Sequence, residues 1–127
     1  MDVALLVSAV AALVAAIGHS FLGERKVLRS LFENRAASSA LAISGSRRLI
    51  RGVWHLPSII WVLTGLATYG FVYHGTTPPA FFAVYGALIY GFSALINFWS
   101  LRRFHLGALV LLVAAGALIF ARFFAAS

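Results

Sequence analysis

The chain has 127 residues, of which 62% are hydrophobic and only 10% are charged. Soluble domains contain about 45–50% apolar and about 25% charged residues, so this composition excludes a soluble globule or a disordered chain and indicates an integral membrane protein. The absence of cysteine excludes disulfides and thiolate metal sites. A net charge of +7 would suit nucleic acid in a soluble protein. Here the basic residues cluster between apolar segments, so we expect the lipid bilayer, and no nucleic acid, as the partner.

Four apolar segments are long enough to cross a bilayer. A helix needs about 20 apolar residues to span a hydrocarbon core of about 30 Å. Three segments reach this length without a charge, and a fourth reaches it if Arg122 extends to the interface. The four predicted spans are residues 3–22, 52–73, 80–101 and 104–124. The sequence therefore predicts an all-α, integral membrane four-helix bundle that forms a single domain over residues 1–127.

The basic residues of the connecting segments predict the orientation of the helices. The first connection, residues 23–51, carries seven of the ten lysines and arginines, and the third contains Arg102 and Arg103. The second connection, residues 74–79, has none. Loops rich in lysine and arginine stay in the cytoplasm. An up-down-up-down arrangement with both termini on the outer, periplasmic side is therefore predicted.

The first connection contains a further helical pattern. Apolar and charged residues alternate at helical spacing over about residues 24–35. This pattern fits a short amphipathic helix on the anionic inner surface of the membrane, or else a solvated helical extension of the first span. Residues 34–46 are rich in alanine and serine and are interpreted as a linker.

Each predicted span brings a polar residue close to its cytoplasmic end. These residues are His19, His55, Asn97 and His105, and Glu24 lies just beyond the first span. The same level also contains three arginines, Arg51, Arg102 and Arg103. Polar groups within a membrane are costly and are functional candidates by default. We therefore expect the functional site in this polar layer.

The leading hypothesis is a membrane protein that binds haem or a metal ion and has a redox-linked role. Neutral imidazole is the commonest metal ligand, and two histidines at equal depth on neighbouring helices can hold a b-type haem. His19 and His55 are the predicted ligands of haem b or a divalent metal. His105 and Glu24 are predicted to supply a further ligand or to hydrogen-bond a ligand.

Two other hypotheses are open at this point. In one, the three arginines hold a lipid head group or a small anion, while His19, His55 and Asn97 hydrogen-bond it or act as acid–base catalysts. In the other, the protein is a non-catalytic accessory subunit of a larger membrane complex or a homo-oligomer. The polar layer then only sets the register of the helices.

Two sequence segments carry a family resemblance. Residues 18–25 read GHSFLGER and residues 47–58 read RRLIRGVWHLPS. They resemble a group of small bacterial inner-membrane proteins with four helices, a His-Ser-x-Leu-Gly-Glu signature and a Trp-His signature. The resemblance covers about the first half of the chain by motif and the rest by topology. It implies a multi-pass protein of the bacterial inner membrane with His19, Glu24 and His55 as the residues of interest, and it implies no reaction.

Overall fold

The computed structural model describes residues 1–33, 39–102 and 105–125. Within these ranges the regular secondary structure is helical and includes no strand, which confirms the predicted all-α class. The elements in chain order are α1 (Asp2–Leu22), a π-helical segment (Gly23–Leu28), α2 (Arg29–Glu33), α3 (Ser39–Ala42), α4 (Ser44–Tyr73), α5 (Ala80–Leu101) and α6 (Leu106–Phe123).

Four helices in the described part of the chain are long and apolar enough to cross a membrane: α1 with its continuation, α4, α5 and α6. α4 ends at Tyr73 and α5 begins at Ala80. The connection between them therefore covers residues 74–79, as the sequence predicts. Pro79 directly precedes α5, and proline is well suited to a helix start because the first N–H groups of a helix have no partner within it. These helices indicate a multi-pass membrane protein, as the apolar segments predict.

The connection between the first two spans is more helical than the sequence predicts. The π-helical segment and α2 continue α1 to Glu33, so this segment extends the first helix and does not form a separate one. α4 begins at Ser44 instead of near residue 52, and α3 occupies part of the predicted linker. Charged residues mark the ends of the apolar spans in the sequence. The helices continue past them because arginine and alanine are strong helix formers. Residues 34–38 of that linker lie outside the described residues.

The helices pack around the bundle in the order α4, α1, α6, α5. α1 packs extensively against α4 and α6, α5 packs against α6, and α4 and α5 approach each other only slightly. A Cβ added at Gly65 of α4 would lie 3.2 Å from the Ala12 Cβ of α1. The Ser8 hydroxyl of α1 donates to the Ala114 carbonyl of α6 over 2.8 Å. Small residues that permit such close approach drive helix association in lipid, and they make α1 the central neighbour of both α4 and α6.

Candidate functional site

The candidate site lies between α1 and α4, where α1 leads into the π-helical segment. The Nδ1 atom of His55 is 3.1 Å from the Ser20 hydroxyl, and its Nε2 atom is 3.3 Å from Oε2 of Glu24. The other Glu24 oxygen, Oε1, is 2.8 Å from the Arg51 guanidinium. We call these four residues, Ser20, Glu24, Arg51 and His55, the His55 cluster. Two neighbouring helices therefore bring a hydroxyl, an imidazole, a carboxylate and a guanidinium into one hydrogen-bonded chain.

The spacing of the four residues explains how the cluster forms. Ser20 and Glu24 are four residues apart in sequence, as are Arg51 and His55, so each pair lies on one face of its helix. Glu24 belongs to the π-helical segment, and short π-helical stretches occur often at functional sites. Glu24 and Arg51 are about half exposed, whereas the His55 side chain is only 28% exposed. Solvent can therefore reach the cluster from the side of the charged groups.

A glycine makes the close approach of the two helices possible. A Cβ added at Gly23 would overlap the indole ring of Trp54 on α4. Gly23 is buried, and the indole occupies the space that a side chain would need. The contact sets the separation of α1 and α4 directly beside the His55 cluster.

His19 lies in the same interface and contacts α4 through a different partner. Its Nε2 atom is 3.1 Å from the Trp54 carbonyl oxygen. The ring stacks on the Trp54 indole, with centroids 5.1 Å apart and planes 9° apart, and meets the edge of Trp61 at 5.2 Å. Because a carbonyl can only accept, Nε2 of His19 is the donor. The structure thus places His19 and His55 at one interface, each held by its own partners.

Other predicted site residues make local contacts instead. Asn97 donates to the Ser93 carbonyl of its own helix over 2.8 Å. His105 is the N-cap of α6, and its Nδ1 atom accepts from the Gly107 N–H over 3.1 Å. Arg102 ends α5 in the left-handed conformation, with φ of 49°. Arg103 lies outside the described residues.

The predicted metal ligands are His19, His55, His105 and Glu24. In the part of the chain that the structure describes, no group of three or more His, Cys, Asp or Glu residues is placed to hold a metal ion. Both ring nitrogens of His55 already contact Ser20 and Glu24, so ligation by this ring would replace one of those contacts. Binding of haem or a metal by His19 and His55 stays a prediction from the sequence. An accessory role in a larger complex also stays a prediction.

An open groove of about 710 Å³ lies beside the His55 cluster. We call it the arginine groove, and it is lined by Glu24, Arg25, Arg29, Phe32, Glu33 and Arg51. Three guanidinium groups and two carboxylates give this lining one net positive charge. Of these residues, Glu24 and Arg51 were expected from the sequence to belong to a site, whereas Arg25 and Arg29 were not. The spacing of four residues between Arg25 and Arg29 could have identified them, because it places both side chains on one helical face.

Comparison with family models, curated proteins and solved structures finds no match for this chain. Guanidinium groups bind phosphates and carboxylates through paired, charge-assisted hydrogen bonds. An imidazole between a hydroxyl and a carboxylate can transfer a proton. The α1–α4 interface is thus suited to anion binding at its exposed edge and to acid–base chemistry further inside.

Proposed function

We propose that this chain is a multi-pass protein of the bacterial inner membrane that binds a phosphate-bearing lipid head group in the arginine groove. The observation that carries the proposal is the groove itself, about 710 Å³ in volume and bordered by three guanidinium groups. It lies beside the charged ends of two membrane-length helices, α1 with its continuation and α4. A lipid head group meets a spanning helix at this level, because charged residues flank the apolar spans.

The predicted orientation places the groove on the cytoplasmic leaflet. The connection that contains it carries seven of the ten basic residues, which favours a cytoplasmic position. The bundle then runs up-down-up-down with both termini in the periplasm. The cytoplasmic leaflet is rich in anionic lipids, and each basic residue near that surface contributes about 1 kcal/mol of attraction. The orientation and the charge of the groove support the same ligand.

The arginines of the groove differ in their present partners. Arg29 pairs with Glu33 at 3.1 Å, and both side chains are more than two-thirds exposed. Exposed pairs of this kind contribute only about 0–1 kcal/mol, so a phosphate can share or replace this partner at low cost. Arg25 lies 4.2 Å above the Phe21 ring and, in the described part of the chain, pairs with no carboxylate. Arg25 is therefore the arginine most available to a phosphate.

The test measures lipid retention by the full-length protein in mild detergent. Native mass spectrometry would count bound phosphatidylglycerol, with phosphatidylcholine as the zwitterionic comparison. We expect the double variant Arg25→Gln/Arg29→Gln to weaken phosphatidylglycerol binding about tenfold or more, because hydrogen bonds to charged groups contribute about 1.5–3 kcal/mol. The control is Lys26→Gln/Arg48→Gln, which removes the same charge at exposed positions outside the groove.

Three outcomes would contradict the proposal. Equal losses in the two double variants would mean that total charge, and not the groove, attracts the lipid. Equal retention of the two lipids by the unmodified protein would show that the head group is not recognised. Displacement of phosphatidylglycerol by millimolar inorganic phosphate would identify free phosphate as the ligand instead.

A further inference from the structure

We propose that Ser20 is a nucleophile activated by His55 and that the site hydrolyses an ester bond of an anionic glycerophospholipid. The choice of substrate rests on the proposed function of the arginine groove, whereas the activation of Ser20 rests on the His55 cluster alone. The Ser20 hydroxyl lies 3.1 Å from Nδ1 of His55, within hydrogen-bond reach of a base. A nucleophile, a base and a group that orients the base are the three parts of nucleophilic catalysis by serine.

The hydrogen-bond directions are those that the reaction requires. A carboxylate has no hydrogen to donate, so Nε2–H of His55 donates to Glu24 over 3.3 Å. In the neutral ring Nδ1 then carries a lone pair, and this lone pair faces the Ser20 hydroxyl. Arg51 holds the second carboxylate oxygen at 2.8 Å. Glu24 and Arg51 are thus positioning residues, and Ser20 and His55 are the catalytic residues.

The reaction is balanced with the ester and water as its only co-reactants. Oγ of Ser20 attacks the carbonyl carbon as its proton moves to Nδ1 of His55, and the carbonyl oxygen becomes an oxyanion. The bond to the leaving alcohol then breaks, and His55 returns the proton to the alcohol oxygen. Water next attacks the Ser20 ester and gives a proton to His55. The Ser20–acyl bond breaks, the proton returns to Oγ of Ser20, and a fatty acid and a lysolipid are released.

The relative depth of the two sites fits a glycerophospholipid. Ser20 precedes Glu24 and Arg25 by four and five residues, which places it about 6 Å deeper along α1 at about 1.5 Å per residue. In a glycerophospholipid the ester carbonyls lie just below the phosphate towards the acyl chains. A lipid with its phosphate in the arginine groove therefore brings its ester groups to the level of Ser20.

The first experiment treats the full-length protein in mild detergent with a biotinylated fluorophosphonate and maps the label by peptide mass spectrometry. Oγ of Ser20 forms the bond to phosphorus, fluoride leaves, and His55 takes the hydroxyl proton. We expect labelling at Ser20 that is abolished by Ser20→Ala and slowed about 100-fold or more by His55→Gln, the usual range for loss of a general base. The controls Ser100→Ala and His74→Gln alter exposed residues away from the cluster and should label at the original rate.

A second variant separates catalysis from folding and from lipid binding. Glu24→Gln removes the group that orients His55 but leaves the groove more positive. We expect slower labelling of Ser20 together with stronger retention of phosphatidylglycerol, because the groove loses a negative charge, a combination that a purely structural role of Glu24 would not produce. Unlabelled Ser20 in a helical, monodisperse preparation would overturn the proposal, as would an unchanged labelling rate in His55→Gln.

The substrate is tested by fatty-acid release from phosphatidylglycerol vesicles that contain the protein. We expect release that depends on Ser20 and that falls with Arg25→Gln/Arg29→Gln, while fluorophosphonate labelling, which needs no head group, does not change. Labelling without fatty-acid release would overturn the assignment of a lipid ester as substrate. Loss of phosphatidylglycerol retention in Ser20→Ala would show that the two sites are not separate. Failure of head-group binding and failure of the nucleophile therefore give different results.

Discussion

The interfaces α1–α4 and α5–α6 are both closely packed, but polar side chains behave differently in the helices that form them. His55 of α4 makes its hydrogen bonds to Ser20 and Glu24, across the interface. On α5, Ser93 and Asn97 donate to carbonyls one turn earlier in their own helix, and Ser93 also accepts from Trp61 of α4. The α1–α4 interface therefore contains a chain of polar side chains that runs from one helix to the other, whereas in the described part of the chain Ser93 and Asn97 form no hydrogen bond with α6.

The closest approaches of the two interfaces also differ in kind. At Gly23 an added Cβ would meet the rigid indole of Trp54, whereas at Gly86 of α5 it would lie 2.7 Å from the end of the flexible Leu118 side chain of α6. An indole cannot move aside without displacing the stacked ring of His19, but a leucine can change rotamer. The α1–α4 separation is therefore the less tolerant of the two.

The largest expected effect in this comparison comes from Gly23→Ala. Overpacking against a rigid neighbour costs about 1–3 kcal/mol, and overlap with three indole atoms lies at the upper end of that range. After the gain of about 1 kcal/mol from the helix propensity of alanine, we expect a net fall of about 2 kcal/mol in the free energy of unfolding, measured by SDS titration in mixed micelles. The matched change Gly86→Ala should be close to neutral, since adjustment of Leu118 is offset by the helix propensity of alanine, about 1 kcal/mol above glycine. A larger loss in Gly86→Ala than in Gly23→Ala would reverse the proposed difference between the interfaces.

A smaller effect is expected from His55→Ala. Hydrogen bonds between membrane helices contribute about 0.6 kcal/mol on average and at most about 1.7 kcal/mol, and this change removes two contacts from Ser20 and Glu24. We expect a loss near the upper figure in the same SDS titration. Asn97→Ala removes only a bond within its own helix, so the free energy of unfolding should not fall. Equal losses in both variants would mean that the His55 cluster adds no stability across the interface.

The smallest expected effect concerns the loose contact of α4 with α5. The indole N–H of Trp61 donates to the Ser93 hydroxyl over 3.0 Å, and Ser93→Ala removes this bond while keeping the buried Trp61 ring in place. We expect a loss of about 0.6 kcal/mol, the average for such bonds, because the other bond of Ser93, to the Ile89 carbonyl, lies within its own helix. Ser100→Ala, at an exposed position near the end of the same helix, should change nothing. A loss above that of His55→Ala would show that α4 and α5 are more tightly coupled than their slight approach suggests.

Part of the candidate site was predictable from the sequence. His19, Glu24 and His55 were singled out because ionisable groups at a membrane boundary are costly to keep, and the structure brings all three to one interface. Ser20 gave no such signal, because serine is common in membrane helices. Asn97 and His105 had the same signal as His55 but bond within their own helix or turn. The position of a residue within a predicted span gives its depth in the membrane, but it does not say which neighbouring helix the side chain faces.

The sequence by itself determined the helical class and the four membrane-length segments. These follow from the transfer of about 20 consecutive apolar residues into lipid, which depends on each segment alone. Only the tertiary structure decided that α1 lies beside α4 and that Ser20 meets His55. That contact depends on two helices at once, through the absence of a side chain at Gly23 and the indole that fills its place. No single segment contains this information, because close packing in lipid is a property of paired surfaces.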